Sequence, residues 1–225
     1  NDVDGIILAW QGGQEGGNSV ADIISGKVNP SGKLPMTFPV KVSDHASHNN
    51  FPLEGAPMNM LDFFKSKDEN KSEIKNIDYT VYEEDIYVGY RHFDKAEIEV
   101  SFPFGFGLSY TDFKFSNLTI TPNGNGIDIN LNVRNIGQVE GKEVVQVYVS
   151  KIDSKIDRPN NELKTFQKTS LLNPNSVDNI SLHINYDDLR YWDEDSNSWK
   201  LEEGEYLINI GNSSRNISLS EMIKI

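Results

Sequence analysis

Glu15 is the acidic residue whose setting best suits catalysis among the 34 in this 225-residue sequence. It lies in the glycine-rich loop 11–17, which follows the continuous apolar run 6–9. Such a run predicts a strand buried on both faces of a parallel sheet, and open α/β sheets bind ligands at the carboxyl ends of their strands. A carboxylate here can also serve the loop alone, because the free N–H groups and the dipole of a following helix stabilise negative charge. We favour that structural role for Glu15.

Two other motifs resemble ligand sites but have the wrong spacing. His45 and His48 lie three residues apart in a polar loop and lack the paired helical spacing of a zinc site. Gly32-Lys33 is followed by Leu34 rather than Ser or Thr, and no glycine lies five residues before Gly32, so a phosphate-binding loop is excluded. The sequence therefore predicts no metal and no cofactor.

Acidic and aromatic clusters further along the chain have structural explanations. The consecutive carboxylates at 83–85 lack the alternating oxygen positions of a calcium loop, so we expect them to be solvated or paired with Arg91. Trp192 and Trp199 flank the polar segment 193–198 and could form the aromatic platform of a carbohydrate-binding module. Two tryptophans around a turn are more often a cross-strand pair, and we expect that arrangement here.

The composition predicts a globular protein and excludes two classes of partner. Hydrophobic residues make up 37% of the chain, which is enough to bury a core. The formal net charge of −13 opposes binding to nucleic acid and to anionic lipid, because both require clustered Lys and Arg. We find neither a bilayer-spanning apolar run nor a basic and apolar leader, so we expect no membrane contact. Cysteine is absent, and localisation stays open, with the cytoplasm favoured over the periplasm or secretion.

The first 50 residues predict one βα unit that continues into extended backbone. After the strand at 6–9, apolar residues recur at helical spacing over 20–24, with Asn18 as the expected cap and Gly26 as the expected end of the helix. A parallel strand needs parallel neighbours, and no second βα unit follows. The Pro and Gly residues of 28–51 forbid a long helix, so this segment reads as a linker.

The middle of the chain combines a polar insertion with an aromatic stretch. Residues 62–76 are rich in Lys and Asp without an apolar period, and we expect a mobile insertion there. The stretch 79–93 concentrates Tyr and Phe among acidic residues, an aromatic density that is costly to leave in water. We expect it to pack between domains or, alternatively, to form a dimer interface.

The last half of the chain predicts a β-sandwich. Residues 127–133 alternate strictly between apolar and polar, as in a strand with one solvated face. Further strands, separated by turn residues, are predicted at 113–121, 144–150, 163–171, 179–185 and 206–210. The sequence has no Cys-Trp-Cys framework, so an antibody-type domain is excluded and a fibronectin type III-like sandwich is expected.

Five motifs, in this order, resemble glycoside hydrolase family 3. They are Trp10–Asn18, Asn29–Pro39, Tyr82–Arg91, Phe102–Thr111 and Glu162–Phe166. Together they extend over nearly the whole chain, which is most similar to the C-terminal portion of bacterial β-glucosidases of that family. The sequence departs from the family pattern at Asn175, where such sequences usually have Gly, and in the polar insertion.

The resemblance implies a retaining exo-β-glycosidase that removes β-linked sugars from non-reducing ends. In that family the nucleophilic Asp lies on a (β/α)8-type barrel and the acid/base Glu precedes the segment equivalent to Trp10–Asn18, so we expect no catalytic residue in this chain. Trp10 and Glu15 are the candidates for substrate contact here, and stacking of Trp10 on a sugar competes with packing against the barrel. The preferred sugar stays open. The alternative is a carbohydrate-binding or dimerisation module without catalysis.

The expected organisation has three parts. Residues 1–50 form the C-terminal end of the family's α/β sandwich, residues 51–110 form a wrapping linker with the insertion, and residues 111–225 form the fibronectin type III-like domain. The expected partners are a β-linked oligosaccharide or glycoside, the upstream barrel and α/β domains, and a second copy of the chain if it dimerises.

Overall fold

A short α/β part followed by a β-sandwich makes up the computed structural model, as the sequence predicts; it describes residues 3–50 and 82–225. The insertion expected near 62–76 lies outside these residues. The helices are α1 (Gly16–Ile24), α2 (Tyr90–Lys95) and 3-10 turns at Val42–Asp44, Ala46–Asn49 and Tyr186–Leu189. Within the described ranges, no helix has the length and apolar character to cross a bilayer.

The strands pair in antiparallel fashion in each sheet. In chain order they are β1 (Phe38–Pro39), β2 (Val100–Phe102), β3 (Phe113–Pro122), β4 (Gly126–Asn135), β5 (Val144–Lys151), β6 (Glu162–Lys168), β7 (Val177–Asn185), β8 (Tyr191–Asp193), β9 (Ser198–Lys200), β10 (Glu205–Gly211) and β11 (Ile217–Lys224). The strands predicted in the last half of the chain thus correspond to β3 to β7 and β10, and the expected tryptophan pair corresponds to β8 and β9, whereas β1, β2 and β11 were not predicted.

The sandwich consists of a four-stranded sheet, β11-β10-β5-β6, facing a three-stranded sheet, β3-β4-β7. Strand β4 alternates as predicted, with Ile127, Ile129, Leu131 and Val133 buried and their polar neighbours less buried. The core between the sheets also contains Phe115, Val145, Val147, Val149, Ile180, Leu182, Ile184, Tyr206, Ile208 and Ile210.

Strand β5 is buried on both faces, unlike β4. Val145, Val147 and Val149 point into the sandwich core, while Gln146 and Tyr148 on the opposite face are only 3% and 0% exposed. A strand of an antiparallel sandwich normally has one solvated face. The outer face of the four-stranded sheet is therefore covered by other residues, which belong to the α/β part of the chain.

The N-terminal βα unit differs from the prediction in two respects. Residues 6–9 form no strand, because no described residue pairs with their backbone, and Ile6 is 72% exposed. Helix α1 begins at Gly16, with Glu15 rather than Asn18 at the N-cap position. The end of the helix is as predicted: Gly26 has a φ of +75° directly after the C-cap, a conformation that glycine adopts without strain.

Candidate functional site

Glu15 is exposed and bonded within its own loop. Its backbone carbonyl accepts the N–H of Ser19 at 3.0 Å, the first turn of α1. Its side-chain Oε2 accepts the Nδ2–H of Asn18 at 2.7 Å. Gly12 allows the loop to fold tightly, because a Cβ there would lie only 2.8 Å from the Cα of Gly16. Both hydrogen bonds lie within the loop and the first turn of the helix, and they support the ordering role expected for Glu15.

Trp10 lies before this loop in a left-handed backbone conformation, with φ of +50°, and its side chain is 55% exposed. A non-glycine residue with positive φ is uncommon and is held in place by its surroundings. The structure does not bring Trp10 and Glu15 together through a hydrogen bond. Trp10 is one of several apolar side chains in the first 25 residues that are substantially exposed, together with Ile6, Leu8 and Ile24.

Residues 90–107 cover the outer face of the four-stranded sheet. The ring of Tyr90 stacks on Phe104 with centroids 4.9 Å apart and meets Tyr148 of β5 edge-on at 6.1 Å. The Tyr90 hydroxyl accepts the N–H of Leu163 at 2.9 Å. Phe93, in α2, is buried, with 1% of its surface exposed. The prediction that the aromatic stretch packs between domains is therefore confirmed for Tyr90, whereas the ring of Phe93 packs against His45 and His92 and Tyr82 is 87% exposed.

Gln146 links this cover to the sheet through hydrogen bonds. Its Nε2 donates to the carbonyl oxygens of Gly105 at 3.1 Å and Asn212 at 2.7 Å, and its Oε1 accepts the hydroxyl of Tyr148 at 2.6 Å. Burial raises the pKa of Tyr148 well above its ordinary value, so its hydroxyl remains a donor. Gly105 has φ of +79°, and a side chain there would collide with Gln146. Polar and aromatic contacts therefore both join the α/β part to the outer face of the four-stranded sheet, and we call this region of contact the junction.

A buried ion pair spans the same junction. The Nζ of Lys33 lies 2.7 Å from Oε1 of Glu143, and the two side chains are 12% and 7% exposed. Lys33 also donates to the carbonyl oxygen of Gly107 at 3.1 Å. The segments around Lys33 and Gly107 are paired through their backbones, because Leu34 donates to the carbonyl of Phe106 and accepts the N–H of Gly105, each at 2.8 Å.

Arg215, in the turn between β10 and β11, forms a further polar contact between the sandwich and the α/β part. Its Nε donates to Oδ1 of Asp94 at 2.8 Å, and its Nη2 donates to the carbonyl oxygens of Phe93 at 3.1 Å and Ile98 at 2.8 Å. Burial raises the pKa of Asp94, although the Arg215 guanidinium opposes that shift. A guanidinium with several N–H donors in a fixed plane suits such a multiple contact.

Other residues singled out in the sequence have local roles. The ring of His45 packs edge-on against Phe93 at 5.6 Å. The acidic residues 83–85 were expected to be solvated or paired with Arg91. Glu83 and Asp85 are exposed, as the first alternative requires, whereas Arg91 Nη2 lies 3.7 Å from a carboxylate oxygen of Glu162. In the described parts of the chain, no three His, Asp or Glu side chains are grouped as metal ligands.

The predicted cross-strand tryptophan pair is confirmed. Trp192 and Trp199 are register partners in the β8–β9 hairpin, with ring centroids 5.6 Å apart and planes at 74°. The hairpin is closed by Asp193, whose carboxylate lies 2.5 Å from Nζ of Lys200. The Lys200 ammonium and the Ser196 hydroxyl lower the pKa of Asp193 to about 2. The rings are 46% and 61% exposed, but an edge-to-face pair presents no flat platform.

Sequence reasoning missed the junction residues Lys33, Glu143, Asp94 and Arg215. Each pair joins positions about a hundred residues apart, and a single sequence contains no pairing information at that distance. The burial of Glu143 could have been inferred, because this residue directly precedes the largely apolar strand 144–149. Its burial in turn requires a cationic partner.

Two family models match this combination of an α/β part with a sandwich. Residues 1–110 match the glycosyl hydrolase family 3 C-terminal domain, and residues 143–214 match a fibronectin type III-like domain. The architecture is thus that of a glycosidase-associated α/β domain joined to a β-sandwich. The chain belongs to glycosyl hydrolase family 3, and it comprises that family's C-terminal domain followed by the fibronectin type III-like domain.

Individual relatives agree with this assignment. The chain is 37% identical over 227 aligned positions to thermostable beta-glucosidase B of Acetivibrio thermocellus, covering 99% of this chain and 27% of the relative. It is 36% identical to a beta-glucosidase of Kluyveromyces marxianus, covering 24% of that protein. The solved structure of beta-glucosidase 3B from Thermotoga neapolitana in complex with α-D-glucose superimposes with a TM-score of 0.84 at 41% identity, covering 99% of this chain and 28% of that one. The chain therefore spans about a quarter of the length of these relatives.

Proposed function

We propose that this chain is the supporting C-terminal part of a retaining exo-β-glycosidase of the β-glucosidase type. The complete enzyme hydrolyses O-glycosidic bonds at the non-reducing ends of β-linked oligosaccharides or glycosides. The observation that carries the proposal is the match of nearly the whole chain to proteins that are themselves named beta-glucosidases. No cofactor is required by this chemistry, which uses two carboxyl groups.

The nucleophilic Asp and the acid/base Glu lie outside residues 1–225 in this proposal. Retention requires the two carboxyl groups to be about 5–5.5 Å apart, and an error of about 1 Å in position can cost a hundredfold in rate. A domain that holds its neighbours rigidly therefore contributes to catalysis without touching substrate. The burial of both faces of β5 supports this role, because it makes the α/β part and the sandwich one packed unit.

The partners of the chain are the barrel and the remaining strands of the α/β domain. The exposed apolar side chains at residues 6–8, with Trp10 and Ile24, support contact with such neighbours, since a surface of this kind is costly to leave in water. Trp10 packs there in preference to contacting sugar, and Glu15 orders the loop beside it. A second copy of the chain is a further proposed partner, and the exposed side chains of Tyr82 and Val88 are its proposed contact. Sedimentation of the complete enzyme with and without Tyr82→Ala tests it.

A bacterial source is also part of the proposal, supported by the Asn- and Lys-rich, cysteine-free composition. The relatives include yeast and mould proteins as well as bacterial ones, and they leave the source open.

The second candidate is a carbohydrate-binding module, and the exposure of Trp192 and Trp199 is the observation that favours it. The edge-to-face geometry of the two rings argues against it. It requires measurable polysaccharide affinity that Trp199→Ala abolishes. Equal retention of the protein and of this variant on cellulose or xylan in affinity electrophoresis would exclude a tryptophan platform.

The test of the leading proposal is hydrolysis of p-nitrophenyl β-D-glucoside by the complete protein and by the 225-residue chain. We expect the complete protein to release the β-anomer of glucose first, as seen by proton NMR, and the chain alone to be inactive. An inverted product or an inactive complete protein would refute the proposed reaction. Hydrolysis by the chain alone would refute the position of the catalytic pair.

A further inference from the structure

We infer that Glu143 is the positioning residue that fixes the sandwich to the family 3 C-terminal domain, through its buried ion pair with Lys33. Lys33 lies within residues 1–110, matched to that domain, and Glu143 is the first residue matched to the fibronectin type III-like domain. The pair therefore joins the two units at their shared surface. The consequence for catalysis rests on the proposed function, whereas the coupling itself rests on the geometry alone.

Both ends of the pair are fixed by further hydrogen bonds. Glu143 Oε1, which faces Lys33, also accepts the N–H of Val144 at 2.7 Å, and Oε2 accepts the Nδ2–H of Asn212 at 3.2 Å. The backbone of Glu143 is bonded to Thr169, whose Oγ1 accepts its N–H at 3.1 Å and whose N–H donates to its carbonyl at 2.9 Å. The carboxylate is thus held in one orientation at the start of β5 and the end of β6.

The backbone on the Lys33 side is equally constrained. A Cβ at Gly107 would collide with the carbonyl oxygen of Gly32, so the two chain segments approach as closely as backbones can. The two backbone hydrogen bonds between Leu34 and residues 105–106 then fix the position of the Lys33 backbone relative to the sheet. A short, buried contact between two rigid segments determines their relative position, because neither partner can move without losing it.

The charges around the pair make Glu143 the more important member. Lys33 and Lys142 both lie close enough to Lys168 to influence its charge, and Nζ of Lys168 donates to Oγ of Ser31 at 2.9 Å. Burial lowers the pKa of Lys168, the ammonium groups of Lys142 and Lys33 lower it further, and Glu143 opposes them. One carboxylate therefore balances several ammonium groups. Loss of its charge leaves mutual repulsion among the lysines, whereas loss of Lys33 leaves Glu143 with its amide donors and Lys168.

The experiment is amide hydrogen exchange in the complete protein, at the N–H groups of Leu34 and Gly105. Glu143→Gln should accelerate exchange at both amides about tenfold or more, and Lys33→Met by about threefold. Replacing both with Met should bring the rates to within about threefold of the wild type, because an apolar pair can substitute for a buried ion pair. The control is Lys27→Met, since the Lys27–Asp22 pair is exposed and contributes little.

Rates within about twofold of the wild type in Glu143→Gln would overturn the inference. So would a double variant that is no better than Glu143→Gln. If Glu143→Gln does not fold, the double variant decides alone: recovery supports the coupling and failure to recover refutes it. Exchange is measured independently of hydrolysis, so an inactive enzyme with the expected exchange pattern would refute the proposed function and leave the coupling intact.

Discussion

Arg215 holds Asp94 with a 2.8 Å hydrogen bond from its Nε, although the two residues are 121 positions apart. The same guanidinium binds two carbonyl oxygens at the end of α2 and just beyond it. The turn between β10 and β11 thereby anchors the helix that contains Phe93. This contact therefore joins the sandwich to the α/β part, in addition to the Lys33–Glu143 pair and the hydrogen bonds of Gln146.

Arg215→Met should destabilise the protein by about 2–3 kcal/mol, because it leaves the carboxylate of Asp94 and two carbonyls without their donor. This value is below that of a fully buried pair, since Arg215 is 32% exposed. The control is Lys95→Met in the helix that Arg215 anchors, because its pair with Asp157 is exposed and screened by solvent and should contribute much less. Urea unfolding of both variants measures the difference, and equal losses would contradict the anchoring role.

Gly107→Ala should disrupt the junction, because the new methyl group has no space beside the carbonyl oxygen of Gly32. We expect a loss of about 1–3 kcal/mol, the usual cost of overpacking. Gly124→Ala is the matched control, since nothing lies within 4 Å of its Cβ position and its φ is not positive. Thermal unfolding should separate the two variants clearly. A Gly107→Ala protein as stable as Gly124→Ala would show that the close backbone approach is unimportant.

Stability should fall at alkaline pH because of Tyr206. Burial raises its pKa from 10 in the unfolded chain to about 12, and its hydroxyl donates to the carbonyl oxygen of Glu202 at 2.5 Å. A raised folded-state pKa gives stability that is fully present below pH 10 and is lost as the pH rises towards 12. Unfolding free energies between pH 9 and 12 measure this loss, which should be smaller in Tyr206→Phe by up to about 1.4 kcal/mol per pH unit. An identical pH dependence in Tyr206→Phe would contradict it.

Glu15→Gln should leave kcat of the complete enzyme within about tenfold of the wild-type value, because the side chain orders a loop and its replacement can still accept from Asn18. Steady-state hydrolysis of an aryl β-glucoside measures this. A loss of about a thousandfold or more, with an unchanged fold by circular dichroism, would instead assign Glu15 a catalytic role.

The sequence predicted those features that depend on local pattern. The strict alternation in 127–133 predicted β4, and the two tryptophans on either side of the turn 193–198 predicted the cross-strand pair. Strand β11 was missed although Ile217, Leu219 and Ile223 lie on one face, because Glu221 interrupts their alternation and Met222 adds an apolar residue to the exposed face. The cap of α1 was misplaced because Asn18 contacts Glu15 from inside the helix instead of capping it.

Features that depend on contacts between distant residues were not predictable in the same way. The burial of Gln146 and Tyr148 departs from the single solvated face that is usual in an antiparallel sandwich, and it follows only from the position of residues 90–107. The division of the chain at residues 50 and 110 remains a prediction. The substrate role of Trp10 and Glu15 also remains a prediction.

The most direct test of the supporting role is deletion of residues 111–225 from the complete enzyme. Deletion removes the sandwich partners of Tyr90, Lys33 and Asp94. We therefore expect Tm to fall by about 5 °C or more and kcat for an aryl β-glucoside to fall by at least about tenfold. Unchanged Tm and unchanged activity in the truncated enzyme would contradict the supporting role of the sandwich.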